Sequence, residues 1–321
     1  MRAVRVGIGG GAELVAAERP KPGTGEALVR VEAAAICATD RKLVAFGASA
    51  PVILGHEFAG RLEDGRLVGV HPDVGCGSCV FCRAGYENRC PNRVSIGIDR
   101  DGGLAEWVAV PERHVLPLDG LPLELSPVLE PLACCLHAVS LLDVRPGELA
   151  LVVGAGSMGV LSMWALQQGG ARVAVCQRSP HRRELAAELG ADAVLAPGDS
   201  VAAVLGEPPR VAIVTAPRAE PLAWALEEVA VGGTVHAFAG TPGGVQIDAN
   251  VVHYRHLTLV GSTGSALADY RRAVELASSG RIALGRLPTA TVGLDEVPEI
   301  LLGERSEPGL KIIVDVGRRS E

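Results

Sequence analysis

The sequence predicts an α/β protein in which an irregular β domain is combined with a doubly wound parallel-sheet domain. The chain has 321 residues, which corresponds to about two domains. Its first part reads as short strands separated by glycine and proline, whereas strands and helices alternate after about residue 126. The strands of this second part are apolar without alternation, as expected when helices cover both faces of a parallel sheet.

The first part contains two clear strands of the irregular β domain. Ala27–Cys37 alternates loosely and then runs apolar, and Leu104–Val110 is a strand that ends at Pro111. Glycine and proline recur between the apolar segments and indicate turns. This pattern is typical of a β domain with irregular connections.

After Ser126 the pattern changes to helices and strands in turn. Leu129–Leu142 is predicted to be a helix. The predicted strands that follow are Glu148–Gly154, Ala171–Gln177, Arg210–Ala216, Thr234–Ala239 and Leu257–Thr263. The predicted helices are Ser157–Gln168, Pro180–Leu189, Glu220–Val229 and Ala266–Ser279, and the chain ends with a strand in LKIIVDV. The alternation predicts helices on both faces of one parallel sheet.

Composition and charge exclude several classes of function. The net charge is −7 and no basic block stands out, which argues against nucleic acids and anionic membranes as partners. No apolar run approaches the roughly 20 residues of a membrane span, and the N-terminus lacks the features of a signal peptide. We therefore expect a cytoplasmic protein whose eight cysteines serve something other than disulfides.

The segment GAGSMG follows a predicted strand and begins a predicted helix, which is the context of a dinucleotide-binding turn. Gly154 allows the tight turn, Gly156 lets a pyrophosphate approach the backbone, and Gly159 lets the helix pack closely on the strand. Ser157 and Met158 begin the helix, whose N-terminal amide groups would face the phosphates. The alternative is a glycine-rich turn in an unrelated α/β domain.

The end of the next predicted strand indicates which nicotinamide cofactor is preferred. NAD-binding domains place an acidic residue there to hold the ribose 2′-hydroxyl. Here Gln177 fills that position, and Arg178 and Arg182 follow it. Because arginine can bind a phosphate bidentately, we favour NADP(H) over NAD(H). The alternative is that these arginines form a solvated helix start.

Four cysteines lie within fifteen residues, and together they can close a tetrahedral metal site. They are Cys76, Cys79, Cys82 and Cys90. Four thiolates leave no open coordination position, so we predict a structural zinc ion here. An iron–sulfur cluster is the competing interpretation, and free buried thiols are the simplest one.

A second set of metal-ligand residues is spread along the chain. Cys37 lies in CATD, His56 and Glu57 lie in GHEFAG, and Glu130 lies in LEPL. A catalytic zinc ion requires about three protein ligands and one open position. Cys37, His56 and Glu130 could supply the three ligands, and Glu57 could be a neighbouring partner or an exchanging fourth ligand. Taken singly, each residue is more often a core or surface residue.

Together these motifs resemble the zinc-containing medium-chain dehydrogenase/reductase family. The resemblance covers almost the whole chain and extends over PKPGTGEALVRVEAAAICATD, GHEFAG, the four cysteines, DGGLAEWVAVP, LEPL, GAGSMG and GLKIIVDV. The chain is most similar to the branch of sorbitol, threonine and glucose dehydrogenases, because classical alcohol dehydrogenases have cysteine where this chain has Glu130.

The resemblance implies a fold and roles for individual residues. Residues 1–126 and 262–321 would form a GroES-like irregular β-barrel catalytic domain with a structural zinc lobe at 75–91, and residues 127–261 a Rossmann domain. Two zinc ions per chain are implied, the catalytic one bound by Cys37, His56 and Glu130, with Glu57 beside it. Thr39 would relay the alcohol proton, and Asp40 would orient the zinc-bound histidine.

The expected activity is zinc-dependent interconversion of an alcohol and its carbonyl compound with NADP(H) or NAD(H). A polyol, sugar, cyclitol or small secondary alcohol is the expected substrate, and a homodimer or homotetramer is the expected assembly. Two alternatives are a zinc-independent NADPH reductase of activated C=C or carbonyl compounds and a non-catalytic NADPH-binding protein. Lys42 stands where some relatives carry a proton-relay histidine, so the last step of the relay differs here.

Overall fold

A computed structural model describes residues 1–319, which form two compact units. Unit 1 comprises residues 1–133 together with the described residues from Ser265 onward, and unit 2 comprises Cys134–Gly264. The expected boundaries at 126 and 262 lie a few residues before these positions. No helix within residues 1–319 has the length and apolar character needed to cross a membrane.

The strands, in chain order, are β1 Arg2–Gly7, β2 Gly10–Ala16, β3 Glu26–Ile36, β4 Val52–Ile53, β5 Glu57–Arg61, β6 Leu67–Val70, β7 Asp73–Val74, β8 Val94–Ser95, β9 Trp107–Pro111, β10 Val115–Pro117, β11 Leu149–Val153, β12 Arg172–Cys176, β13 Ala193–Leu195, β14 Val211–Val214, β15 Thr234–Ala237, β16 Thr258–Gly261, β17 Thr289–Gly293 and β18 Lys311–Asp315. The α-helices are α1 Ala38–Phe46, α2 Val80–Arg83, α3 Leu129–Ser140, α4 Ser157–Gln168, α5 Pro180–Glu188, α6 Val201–Leu205, α7 Ala219–Glu228, α8 Ala249–Tyr254, α9 Leu267–Ser278 and α10 Val297–Leu302.

Unit 1 is built around the long strand β3. Its sheet has the order β10-β6-β5-β3-β18-β17, and β9 pairs with the first half of β3. Valines alternate with a charged residue in that first half, where Val29 and Val31 are buried and Arg30 is exposed. The second half consists largely of small buried alanines and pairs with β5 on one side and β18 on the other. The strand ends one residue before Cys37, so β3 carries that cysteine to the end of the sheet.

Unit 2 is a parallel sheet of six strands in the order β13-β12-β11-β14-β15-β16. Every residue of its central strand β11, LALVV, is buried, because neighbouring strands and the helices on both faces exclude water. This order is that of a dinucleotide-binding domain, which binds its ligand at the carboxyl ends of the strands where the order reverses. The predicted doubly wound domain is therefore confirmed.

The connection from β11 to α4 shows why the glycines are required. Gly154 has φ 112°, a conformation that side chains with a Cβ rarely adopt. A Cβ on Gly159 would collide with the carbonyl oxygen of Gly154. The two glycines therefore allow the first turn of α4 to lie directly against the end of the strand.

Candidate metal sites and dinucleotide pocket

The four cysteines of the segment 75–91, the cysteine lobe, converge as the spacing predicts. Their sulfur atoms all lie within 4.8 Å of one another, and the Cys79 and Cys82 Sγ atoms are 3.5 Å apart. In a tetrahedral site with Zn–S bonds of about 2.3 Å, sulfur atoms are separated by about 3.8 Å. The lobe can therefore hold a zinc ion with four thiolate ligands.

Backbone amides support the thiols of the lobe. Cys79 precedes the short helix α2, and its Sγ accepts a hydrogen bond from the Cys82 amide. The Cys76 amide donates to the Cys90 Sγ at 3.4 Å. Hydrogen bonds from the Ser78 backbone and hydroxyl lower the pKa of Cys76 to about 6, whereas burial raises the pKa of Cys82 to about 12. The Cys82 amide likewise lowers the pKa of Cys79, so the lobe favours the thiolate form at two positions, and a bound cation would favour it at Cys82 as well.

A second group of donor atoms, the buried cluster, consists of Cys37, His56 and Glu57. One ligand atom from each lies within 4.8 Å of the others. Cys37 is the residue between β3 and α1, and Glu57 begins β5, which pairs with β3. His56 and Glu57 are almost fully buried. The cluster brings together a thiol, an imidazole and a carboxylate, which are the ligand types that zinc binds.

Asp40 lies behind the buried cluster and organises two of its members. One carboxylate oxygen accepts a hydrogen bond from the Cys37 amide at 2.8 Å, which fixes the start of α1. The other faces the His56 Nδ1 at 3.6 Å and has no other partner in residues 1–319. This arrangement directs the second ring nitrogen of His56 away from Asp40, as is usual for a metal-binding histidine.

The charges around His56 change its pKa. Burial lowers the pKa of His56, but the negative charges of Cys37 and Asp40 raise it well above its usual range. The negative charges of Cys37 and Asp40 therefore favour a positive charge at the imidazole, which a bound proton or a metal ion can supply. The donor set and this field both fit a bound zinc ion.

Glu57 forms a buried ion pair with a residue that the sequence analysis did not identify. The Lys311 Nζ donates to the Glu57 Oε1 at 2.6 Å, and the second carboxylate oxygen faces the same ammonium group. Burial disfavours the charge on Lys311, but Glu57, Cys37 and Glu130 raise its pKa above the ordinary value. Lys311 lies in β18, next to β3. Glu57 is thus already engaged by a cation of the protein itself.

The remaining predicted residues of this region lie close to the buried cluster but not within it. Glu130 lies in the first turn of α3 and is buried. Its charge acts on Lys311 and Tyr270, and it contributes to the raised pKa of both. Thr39 lies in the first turn of α1 and is partly buried, whereas Lys42 is exposed. The structure therefore groups Cys37 and His56, two of the three expected zinc ligands, with the neighbouring Glu57, and Glu130 is not part of that group.

Unit 2 contains a cavity of 510 Å³ at the carboxyl ends of its central strands. The glycine loop forms one wall with Gly154, Gly156, Ser157, Met158 and Gly159. The end of β12 contributes the predicted residues Gln177, Arg178 and Arg182. All predicted cofactor-binding residues therefore line one cavity.

Gln177 and the nearby arginines have different roles in this cavity. The Gln177 Oε1 accepts hydrogen bonds from the backbone amides of Arg178 at 2.6 Å and Ser179 at 3.3 Å. Arg183 donates to the Gln177 and Arg178 carbonyls and braces the same turn. Within the described chain, the side chains of Arg178 and Arg182 form no hydrogen bond or ion pair. Two guanidinium groups are therefore available to a ligand.

The far wall of the cavity was not predicted. It is formed by the residues that follow β14, including Thr215, Arg218, Glu220 and Trp224. A signal for it existed, because in this order of strands the fourth strand borders the same crevice as the first. No motif marks these residues in the sequence.

Family models, proteins of known function and a solved structure that match this chain all indicate a dehydrogenase. Family models described as an alcohol dehydrogenase GroES-like domain and a zinc-binding dehydrogenase match residues 23–120 and 157–279. The chain is 34% identical over 309 residues to L-threonine 3-dehydrogenase of Pyrococcus horikoshii, covering 88% of each chain. It is 31% identical over 293 residues to L-galactonate-5-dehydrogenase of Escherichia coli, covering 85% of this chain and 86% of that one. A solved zinc-binding dehydrogenase from Sinorhizobium meliloti 1021, bound to NADP, matches with a TM-score of 0.89 and 34% identity over 98% of both chains.

Proposed function

The chain belongs to the zinc-type medium-chain dehydrogenase/reductase family, and from this premise we propose how its own residues divide the work. It is an oxidoreductase that interconverts an alcohol and its carbonyl compound, so the predicted family, fold class and enzyme class are confirmed. The proposal concerns the residues that bind the zinc ions, the choice between NADP(H) and NAD(H), and the assembly.

The observation that carries the proposal is the buried cluster of Cys37, His56 and Glu57 with Asp40 behind it. Cys37, His56 and Glu130 would hold the catalytic zinc ion, and Glu57, paired with Lys311, would stand beside it. When bound, zinc acts as a Lewis acid on the substrate oxygen and lowers the pKa of the alcohol. A zinc-independent reductase or a non-catalytic NADPH-binding protein would need none of these buried donors.

The side chains around the cluster then have separate tasks. Asp40 holds the His56 ring and, through the Cys37 amide, the start of α1. Thr39 accepts the proton of the substrate hydroxyl and passes it toward solvent. Lys42 is exposed on the same helix, so water or this amine would complete the relay. The nicotinamide supplies the hydride acceptor.

The cysteine lobe would hold the second zinc ion as a structural one. Its four thiols occupy all positions of a tetrahedral site, which leaves no position for a substrate. The lobe buries few apolar side chains of its own, since Val80 and Phe81 of α2 are exposed. A metal ion would therefore supply much of the energy that orders it.

We propose that NADP(H) is preferred. No acidic side chain lies between the end of β12 and Arg183, and Arg178 and Arg182 present two uncommitted guanidinium groups to the cavity. A phosphate binds such groups through charge-assisted hydrogen bonds. The relative from Sinorhizobium meliloti, solved with NADP at 34% identity, supports the same choice.

Substrate, assembly and compartment are proposed from the relatives and from two structural features. Relatives named for L-threonine, L-galactonate and 2R,3R-butanediol favour a polar secondary alcohol, such as a polyol, sugar or cyclitol.

The edge strand β16 exposes Leu259, and the nearby Tyr254 is 73% exposed, which suits a homodimer or homotetramer joined at this edge. All eight cysteines are free, as expected in the cytoplasm.

The test is metal analysis combined with kinetics on wild type, Cys37→Ser and Cys79→Ser, with Cys176→Ser as a control for loss of a buried thiol. We expect two zinc ions in the wild type and one in each of the first two variants. Activity should fall by at least about a thousandfold in Cys37→Ser and much less in Cys79→Ser. A wild type with one zinc ion that Cys37→Ser retains would refute the catalytic site, and a higher kcat/KM with NAD would refute the cofactor choice.

A further inference from the structure

The far wall of the cofactor cavity carries a charged pair to which no role has been assigned. Arg218 precedes α7 and Glu220 lies in its first turn, and both line the cavity of unit 2. The Arg218 Nε and the Glu220 Oε2 are 3.4 Å apart. Both side chains are more than half exposed, so this pair is held only weakly.

This pair shares its cavity with the arginines of the opposite wall. Arg178 lies within electrostatic reach of Glu220, and the carboxylate is influenced by both walls. A hydrogen bond from its own backbone amide, together with Arg218, lowers the pKa of Glu220, and Arg178 adds to the effect. Three guanidinium groups and one carboxylate therefore face each other across one space, and they leave an excess of positive charge.

The excess positive charge in the cavity favours binding of a ligand that carries an anionic group. The Glu220 carboxylate neutralises part of the positive charge, but its side chain is 74% exposed and is held only by its weak pairing with Arg218. A phosphate carries more charge than a carboxylate and offers three acceptor oxygens. An entering phosphate can therefore replace Glu220 as the partner of a guanidinium group.

We infer that Arg218 is a third arginine for the cofactor's 2′-phosphate, and that Glu220 competes with that phosphate for Arg218. The inference rests on the proposed preference for NADP(H) and adds specificity-determining residues from the opposite wall of the cavity. Arg218 would strengthen binding of the 2′-phosphate, and Glu220 would limit it. NADP(H) affinity would thus be set by a balance between the two side chains.

The experiment measures binding of adenosine 2′,5′-bisphosphate and of 5′-AMP to the full-length protein by calorimetry. The ratio of the two dissociation constants isolates the contribution of the 2′-phosphate, because the two probes share the adenosine and the 5′-phosphate. Arg218→Gln should lower the preference for the bisphosphate roughly tenfold. Glu220→Gln should raise it about threefold.

Matched controls come from another exposed ion pair of unit 2. Arg172 and Glu207 form a pair of similar exposure at the amino end of β12, away from the cavity residues. Arg172→Gln and Glu207→Gln remove the same charges from the protein, so they report any effect of net charge alone. We expect neither control to change the ratio by more than about 1.5-fold.

The outcomes separate this inference from the proposed cofactor preference. A wild type that binds both probes equally would overturn the preference for NADP(H) and this inference with it. A preference that falls in Arg178→Gln but not in Arg218→Gln would overturn only the inference. An equal loss of both probes in Arg218→Gln would assign that side chain to the adenine instead, and no gain in Glu220→Gln would exclude competition by the carboxylate.

Discussion

The cysteine lobe and the buried cluster are both suited to a metal ion, but they are built in different ways. The lobe takes four identical donors from fifteen consecutive residues and supports them with backbone amides. The cluster takes three different donors from the adjoining ends of two paired strands, with Cys37 just after β3, His56 just before β5 and Glu57 at its start, and charged side chains lie beside them. One of its members, Glu57, is paired with a lysine 254 residues further along the chain.

The difference reflects what each region has to do. A site that only holds a metal ion needs donors in the right geometry, which a short loop provides. A site that also binds substrate needs an open position and a controlled charge, and these require partners fixed by the rest of the fold. Loss of the buried ion pair beside the cluster should therefore destabilise unit 1 as a whole, whereas loss of a ligand in the lobe should stay local.

The largest effect on stability is expected from Lys311→Met. Removing one partner of a buried ion pair leaves an uncompensated charge, which costs about 3–5 kcal/mol. Glu57 would be left buried without its cation. We expect urea unfolding to show this loss in free energy of unfolding, and the double variant Glu57→Gln with Lys311→Met to recover a large part of it.

An exposed pair of equal length provides the control for that prediction. Arg272 and Glu275 are also 2.6 Å apart, but both lie on the surface of α9. Arg272→Met should change the free energy of unfolding by less than about 1 kcal/mol. If Lys311→Met cost no more than this control, the ion pair would not stabilise unit 1.

A smaller and local effect is expected from Cys79→Ser. The lobe exposes Val80, Phe81 and Tyr86, so it has little apolar core to keep it ordered once a ligand is lost. Trypsin should then cleave at the exposed Arg83 and Arg89 roughly tenfold faster than in the wild type. Cys37→Ser serves as the comparison and should leave the cleavage rate at these sites unchanged; equal acceleration in both variants would mean that the two regions are not independent.

The same contrast explains which parts of the fold were predictable. The five strands and three helices predicted within unit 2 are observed with similar bounds because each is a continuous apolar or amphipathic segment, whereas the short helices α6 and α8 were not predicted. The strand β13, with three residues, and the helix α1, with its mixed sequence, gave no periodic signal. The start of α1 depends on a hydrogen bond from the Cys37 amide to Asp40, which composition alone does not reveal.

Site residues were predictable where the motif is local. The glycine loop and the four cysteines carry their geometry in their spacing, and the structure brings each group together. Lys311 could not be predicted, because a lysine in a terminal strand is usually exposed and its partner lies far along the chain. Arg218 was missed for a related reason, since it reaches the cavity only through the order of strands in the sheet.

Unit 1 also contains a buried histidine pair that sequence spacing does not indicate. The Nδ1 atoms of His71 and His114 are 3.2 Å apart, and the His71 Nε2 is 2.9 Å from the Ser265 carbonyl oxygen. Because a carbonyl only accepts, the His71 Nε2 carries a proton, and when His71 is neutral its Nδ1 accepts a hydrogen bond from the His114 Nδ1. The pair is therefore satisfied when both rings are neutral and cannot be satisfied when both are protonated, because two N–H groups would then face each other.

The smallest expected effect is the pH dependence that this pair adds. Burial lowers the pKa of His71, although the charges of Asp73, Glu87 and Asp269 oppose this shift. Burial also lowers the pKa of His114, and the neighbouring His71 and Arg113 add to this, so that its pKa falls to about 3. The pKa of a histidine in the unfolded chain is about 6.5. Between the folded and unfolded pKa values of His114 the unfolded chain binds more protons than the folded chain, so the free energy of unfolding decreases as the pH falls. One such histidine contributes a slope of about 1.4 kcal/mol per pH unit.

We expect His114→Asn, whose amide can still donate to His71, to reduce the slope of the free energy of unfolding between about pH 6 and 4 by this amount. The exposed His181→Asn should leave the slope unchanged, and an unaltered slope in His114→Asn would show that the buried pair is not a source of acid sensitivity.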